Sequence, residues 1–111
     1  MDRPADEIPV EAMARFTAAE ARLYPMALND PAGYELATSL VGLVADELRR
    51  TSADISSVLE RRSELIGLVP RLAAEAGLVG GGLPVEAVVD AASALRCREL
   101  GAAGGGKRRG P

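Results

Sequence analysis

The chain has 111 residues, which is enough for one domain with a hydrophobic core and too few for two. Hydrophobic residues make up 48% of it and aromatic residues only 3%, so leucine, valine, isoleucine, methionine and alanine must form most of the core, a composition that favours packed helices. Histidine is absent and cysteine occurs once, which excludes a Ser-His-Asp or Cys-His catalytic group, a zinc site built from His and Cys, and an intrachain disulfide.

The net charge of −3 is unevenly distributed along the chain. The segment 101–111 contains Lys107, Arg108 and Arg109 and no acidic residue, so residues 1–100 carry a charge of −6. An acidic body disfavours broad contact with nucleic-acid phosphates. The first residues do not resemble a signal peptide, and no apolar run approaches the roughly 20 residues of a membrane span. We therefore expect a cytoplasmic protein with no membrane partner, for which protein is a more favourable partner than nucleic acid.

The first predicted helical segment, 10–28, contains two signals for an interruption. Pro9 suits a helix start, because its missing N–H costs nothing there. Thr17 and Glu20 have the spacing of a capping box, in which two side chains satisfy the first backbone N–H groups of a helix, so a helix is expected to restart directly after Thr17. Pro25 removes a backbone donor and predicts a kink. The pattern leaves open whether 10–28 is one bent helix or two.

The second predicted helix, 31–50, has the clearest start in the chain. Asp30 is a favourable N-cap residue, and Pro31 is favourable at the first helical position. The apolar side chains of this helix cover roughly 200° of its circumference, wider than the ~100° stripe of a surface helix. It is therefore expected either to lie at the centre of the fold or to be packed on two sides, one of them by another subunit.

The third predicted helix, 52–76, begins within a capping sequence at residues 51–54. Its apolar residues recur every three or four positions over about six turns. Pro70 interrupts this run and predicts a kink or a break. Gly77 is typical of the residue that ends a helix in the left-handed conformation.

The last predicted helix, 84–99, follows a flexible connector that contains glycines 80–82. The segments Ile8–Ala12 and Leu83–Ala87 are nearly the same pentapeptide. Because the similarity stops after these five residues, we interpret it as a shared helix-start signal rather than an internal duplication.

These patterns together predict an all-α fold, a compact bundle of about four helices with kinks near Pro25 and Pro70. The bundle is expected to span residues 9–100. Residues 1–8 are expected to be flexible, and the Gly-rich basic tail 101–111 is expected to be disordered.

Few side chains in the sequence are suited to chemistry. Glu60 and Glu64 lie one turn apart on a predicted helix, but the flanking arginines favour a solvated face over a cation site. Glycines 80–82 precede a helix without the lysine and hydroxyl of a phosphate loop. Cys97 is expected on the polar side of the last helix as an exposed thiol. The sequence therefore predicts no catalytic residue, no cofactor and no bound metal.

Arg62 is a charge placed within the apolar stripe of the third predicted helix. Burying an unpaired guanidinium is costly, so its charged end must reach water or an acid. Three interpretations remain open. The stem packs while the head reaches solvent, the head pairs with an acid of the same chain such as Asp46 or Glu20, or it meets a carboxylate of a partner chain.

The wide apolar face of the second helix and the placement of one arginine predict an interface between chains. Its expected residues are Tyr34, Leu40, Val44 and Arg62. Because the sequence offers no catalytic chemistry, we expect a non-enzymatic protein–protein interaction module that binds itself, as a homo-oligomer, or acts as an adaptor or regulatory partner of another protein.

The alternative is a small nucleic-acid-binding regulator. In that interpretation, segments 65–76 and 85–95 form a degenerate helix-turn-helix, and the basic C-terminal tail is an electrostatic arm.

Overall fold

The computed structural model describes the backbone of residues 8–78 and 82–109, and the side chains of residues 8–78 and 82–101. Within these residues it contains helices and no strand, so the prediction of an all-α bundle is confirmed. The helices are α1 (Val10–Leu23), α2 (Met26–Asn29), α3 (Pro31–Thr51), α4 (Ile55–Glu60), α5 (Arg62–Glu75) and α6 (Val85–Arg109). Residues 1–7, which were expected to be flexible, and the connector residues 79–81 lie outside the described part of the chain.

Helix α1 runs without interruption through Thr17, so the predicted restart after Thr17 is wrong. The buried side chains Phe16 and Ala19 lie on either side of Thr17, and their packing keeps the helix continuous. The predicted interruption at Pro25 is confirmed, because Pro25 separates α1 from the short α2. Pro9 is the N-cap residue of α1 and directly precedes its first helical residue, so it lies next to the helix start without being the first helical residue itself.

Helix α3 begins as its sequence predicts. The Asp30 side chain accepts a hydrogen bond from the backbone N–H of Gly33 at 3.1 Å, and Pro31 occupies the first helical position. Arg49 and Arg50 lie in the last turn, where positive charge is favourable to the helix dipole.

The break in the third predicted helix lies at a different residue from the one expected. Its cap is Asp54, whose side chain accepts from the Ser57 N–H at 2.8 Å, so the helix starts three residues later than the sequence suggests. The chain then leaves the helical conformation at Arg61 and resumes as α5. Pro70 lies inside α5 without ending it. The buried neighbours Val69 and Ala73 anchor the helix on both sides of the proline, which offsets its lost hydrogen bond.

The end of α5 has the predicted glycine. Gly77 adopts a φ of 72°, its N–H donates to the Ala74 carbonyl at 3.1 Å, and the Leu78 N–H donates to the Ala73 carbonyl at 2.8 Å. These two bonds form a Schellman motif, which satisfies the last carbonyls of the helix.

Two alanine substitutions in α5 and its cap are expected to have opposite effects. Gly77→Ala should lower the free energy of unfolding by about 1–2 kcal/mol, because a side chain disfavours a positive φ. Gly67→Ala should raise it by about 0.5–1 kcal/mol, because alanine is the better helix former. A Cβ at either position meets no atom within 4 Å, so sterics do not distinguish them. Urea unfolding of both variants checks this, and equal signs would contradict the assigned backbone conformations.

Helix α6 lies at the centre of the bundle and contacts α1, α3, α4 and α5. Its buried residues lie on more than one side of the helix; they are Ala87, Val88, Val89, Asp90, Ala92, Ser93, Ala94 and Cys97. The backbone of α6 continues past the expected end at residue 99 to Arg109. Gly101 does not adopt a positive φ and therefore does not end the helix. The disorder expected for the tail 101–111 stays a prediction.

Helix α3 is packed by its own chain on more than one side, against α2, α5 and α6. Its fully buried residues are Ala37, Leu40, Val44, Ala45 and Leu48. The wide apolar face predicted for this helix is thus covered to a large extent within the single chain. The sequence left open whether this helix lies at the centre of the fold or is packed on one side by another subunit. In the structure, helices of the same chain pack against it.

Candidate interaction surface

The four residues predicted to form an interface do not share one surface. Leu40 and Val44 have no exposed surface at all and belong to the core. A side chain without exposed surface cannot touch a partner of the folded chain, so these two residues are corrected to core positions. Tyr34 is partly exposed, and Arg62 is held by acids of the same chain.

Arg62 pairs with Asp90 of α6 through two parallel hydrogen bonds. Its Nε donates to Oδ1 at 2.7 Å and its Nη2 donates to Oδ2 at 3.0 Å, while Glu86 lies 3.7 Å from Nη2. The hydrogen bonds to Asp90 raise the pKa of the Arg62 guanidinium above its usual value. Of the three interpretations of Arg62, the one in which it pairs with an acid of the same chain is therefore correct. The acid is Asp90 and not Asp46 or Glu20.

Asp90 was missed by sequence reasoning, although one signal pointed to it. It directly follows Val89 in the buried part of the last predicted helix, and only 8% of its side chain is exposed. A second arginine, Arg15 of α1, lies 4.0 Å from the same carboxylate, and its buried Nε has no hydrogen-bond partner within the described residues. Asp90 thus joins α6 to α5 and, by charge, to α1.

Of the two carboxylates considered for a cation site, Glu64 is paired with an arginine, whereas Glu60 forms no ion pair with another described residue. Glu64 accepts two hydrogen bonds from Arg61, which lower its pKa. Glu99 accepts hydrogen bonds from Arg49 at 3.0 and 2.6 Å, and this arginine lowers the pKa of Glu99. Among the described side chains, no group of three Cys, Asp or Glu residues lies close enough to hold a metal ion.

Cys97 is buried in the core, so the prediction of an exposed thiol is wrong. The helix that carries it is surrounded by other helices, and no solvated side is left at this position. Burial raises the pKa of the Cys97 thiol to about 11.

Thiol reagents should therefore react with Cys97 only after unfolding. We expect less than one tenth of the labelling by a maleimide at pH 8 in the native protein compared with the protein in denaturant. Because the folded thiol ionises near 11 and the unfolded thiol near 9.0, the contribution of Cys97 to stability is present below pH 9 and is lost as the pH rises to 11. Rapid native labelling, measured by mass spectrometry, would contradict the buried position.

The outward side of α1 is unusual for a helix that faces solvent. Residues with i, i+4, i+7 spacing share one side of a helix, and on α1 this side holds Val10, Ala14, Thr17, Ala21 and Tyr24. All five are exposed, and we call them the outer stripe. The buried residues Ala12 and Ala19 lie on the opposite side of the helix. A solvent-facing side normally carries charged and polar residues, but the outer stripe contains no charge.

The large exposed apolar side chains of the described residues are all on α1, α2 and the residues between them. They are Val10, Met13, Tyr24 and Leu28, with exposed fractions of 76%, 50%, 64% and 88%. Leu28 lies four positions beyond Tyr24, on the short α2 that follows the interruption at Pro25. Exposed apolar residues that cluster in this way are typical of interaction sites, whereas scattered ones need no explanation.

Exposed charged residues of α1 lie at the two edges of the outer stripe. Glu11 and Arg22 lie along one edge, both are exposed, and neither forms an ion pair with another described residue. On the other edge, Glu20 accepts a hydrogen bond from Arg98 of α6 at 2.8 Å. The outer stripe is thus an uncharged surface with a charged rim, which is the usual arrangement of a protein–protein contact.

A shallow cavity borders the outer stripe at its C-terminal end. It has a volume of about 200 Å³, several times the ~30 Å³ that a water molecule occupies in the liquid. Its lining is mainly apolar and includes Tyr24, Tyr34, Val41 and Leu95. Tyr34, a predicted interface residue that is partly exposed, therefore lies next to the outer stripe.

A larger cavity of about 480 Å³ lies between the start of α3 and the residues that flank the connector. Its charged lining residues are Asp30 and Glu35. Asp30 already caps α3, so this cavity brings together no pair of groups suited to acid–base or nucleophilic chemistry.

Within the described residues, no helix is both long enough and apolar enough to cross a membrane. Comparison with known proteins gives no match to this chain among protein-family models, curated proteins or solved structures. The described surface itself is therefore the basis for a functional assignment, and its most distinctive feature is the outer stripe of α1.

Proposed function

We propose that this chain is a non-catalytic helical module that acts by binding protein through the outer stripe of α1. The single observation that carries the proposal is the absence of charge from the outward side of an exposed helix, combined with the exposed apolar residues Val10, Tyr24 and Leu28. Covering an exposed surface of this kind with a second apolar surface removes both from water, which lowers the free energy.

The position of the outer stripe also supports this assignment. The opposite side of α1 packs on α6, and the buried Phe16 and Leu23 fix the helix on the bundle. The exposed residues therefore need not rearrange before a partner binds, which reduces the entropy lost on association.

No observation among the described residues favours the alternative of a nucleic-acid-binding regulator. The second helix of the proposed helix-turn-helix would be the first half of α6, and its residues 87–90 and 92–94 are buried. A recognition helix must present its side chains to a DNA groove, which this part of α6 does not do.

Photo-cross-linking in cells tests the proposed function. A photoreactive amino acid at Ala21, within the outer stripe, should give one discrete adduct with a protein. The same amino acid at the exposed Ser63 of α5 is the matched control and should give at least about tenfold less adduct.

The result can contradict the proposal clearly. If positions 21 and 63 give equal amounts of adduct, or if neither gives any while the protein is folded and abundant, the outer stripe is not an association surface. The identity of the adduct is a separate result and bears on the inference below.

A further inference from the structure

Glu11 and Arg22, which form no ion pair with another described residue, have opposite signs and lie at opposite ends of the helix. Glu11 and Arg22 are separated by eleven positions, which is close to three full turns, so both lie along the same edge. Glu11 is near the start of α1 and Arg22 is near its end. An edge that is negative at one end and positive at the other is complementary in charge to a second copy of itself that runs in the opposite direction.

We propose that the outer stripe binds a second copy of this chain, with the two α1 helices antiparallel about a twofold axis near Thr17. This inference rests on the proposed function and names its partner. In such an arrangement each Glu11 faces Arg22 of the second copy, which forms two equivalent ion pairs. The contact between them is the uncharged outer stripe.

The charges select the antiparallel arrangement over the parallel one. Parallel helices related by a twofold axis would set the edge that carries Glu11 and Arg22 against the opposite edge of the second copy, so neither ion pair would form. On the opposite edge, Glu20 already pairs with Arg98 in its own chain, so it adds no unpaired charge to the contact.

The outer stripe is also complementary to itself in size. Around the axis its residues are small, namely Ala14, Thr17 and Ala21, which lets the two helices approach closely. Towards each end, Val10 of one copy lies near Tyr24 of the other. The apolar cavity beside Tyr24 and Tyr34 is open to an aliphatic side chain at this place.

The dimer is expected to be weak and reversible. Helix α1 has 14 residues and is about 21 Å long, so a contact centred on it falls at the small end of specific interfaces. Sedimentation velocity of the full chain should show a monomer at low micromolar concentrations and a dimer at several hundred micromolar.

Reversing one rim charge tests the pairing of Glu11 with Arg22. Glu11→Arg and Arg22→Glu should each weaken the dimer by about tenfold, because each replaces two attractive contacts by two repulsive ones. An equimolar mixture of the two variants should associate again, because each copy then faces the opposite charge. Failure of the mixture to associate better than either variant alone would overturn the assigned contact.

Cysteine variants test the axis independently and leave the rim charges unchanged. Thr17→Cys lies at the twofold axis and should form an intermolecular disulfide on mild oxidation. Ala21→Cys lies on the same stripe, but in the antiparallel dimer its equivalent is about 12 Å away along the helix, so it should remain a free thiol. Equal cross-linking at both positions would show a parallel or nonspecific contact and would overturn the proposal.

The failure of this inference is distinguishable from failure of the proposed function. In one outcome, the purified chain stays monomeric at all concentrations while position 21 gives an adduct with a different protein in cells. This outcome excludes a second copy as the partner and still supports the outer stripe as an association surface. A monomer without any position-specific adduct overturns both.

Discussion

Leu40→Ala is expected to lower the free energy of unfolding by about 2–5 kcal/mol. Leu40 is fully buried between α3 and its neighbours, so the substitution removes apolar contacts and leaves a cavity that the surrounding helices fill only in part. Of a stability of roughly 5–15 kcal/mol for a domain of this size, the loss is a large fraction.

The matched control for this substitution is Leu28→Ala on α2. The same atoms are removed there from a side chain that is 88% exposed, so the change in stability should stay within about 0.5 kcal/mol. Urea unfolding at dilute protein concentration compares the two variants without a contribution from association. Similar losses for both would contradict the assignment of Leu40 to the core and would return it to the predicted interface between chains.

Asp90→Ala is expected to cost about 2 kcal/mol, the second large effect. The substitution leaves the guanidinium of Arg62 without its two hydrogen bonds, and it also removes the acid nearest to Arg15. Arg62 retains 29% exposure of its side chain, so the loss is smaller than for a fully buried pair. Arg62→Ala should cost less, because Arg15 remains close to the carboxylate.

A double-mutant cycle on Arg62 and Asp90 measures their coupling directly. We expect a coupling of about 1–2 kcal/mol in urea unfolding. The control pair is Arg71 and Glu75, which are exposed and one turn apart on α5, with an expected coupling of at most about 0.5 kcal/mol. A coupling for Arg62 and Asp90 no larger than the control would show that the pair is solvated and does not hold α5 to α6.

Local signals in the sequence predicted the starts and ends of several helices well. The cap at Asp30, the proline at the start of α3 and the left-handed Gly77 depend on neighbouring residues alone. The same holds for the two similar pentapeptides, since α1 and α6 begin at their third residues, Val10 and Val85.

Features that depend on packing could not be predicted from local patterns. Thr17 and Glu20 have the spacing of a cap, but the burial of Phe16 and Ala19 holds α1 continuous through them. Pro70 has the local character of a break, whereas the chain breaks at Arg61 instead. Propensity is a weak preference that tertiary contacts override.

The candidate surface was misplaced for a related reason. A wide apolar face indicates that a helix is covered on several sides, and the pattern alone does not say whether the cover comes from the same chain. For α3 it comes largely from α2, α5 and α6. The outer stripe of α1 is only moderately apolar, with alanine and threonine at its centre, and it becomes distinctive once Ala12 and Ala19 are known to face the core.

We expect protein to cover the outer stripe of α1 when the chain functions in the cell. Alkylation of introduced thiols measures this cover directly, and the native Cys97 does not interfere because it is buried. With a membrane-permeant maleimide, the alkylation rate of Ala21→Cys should be at least about tenfold lower in cells than in the dilute purified protein. The alkylation rate of Ser63→Cys should be the same in both. Equal protection factors at the two positions would contradict the claim.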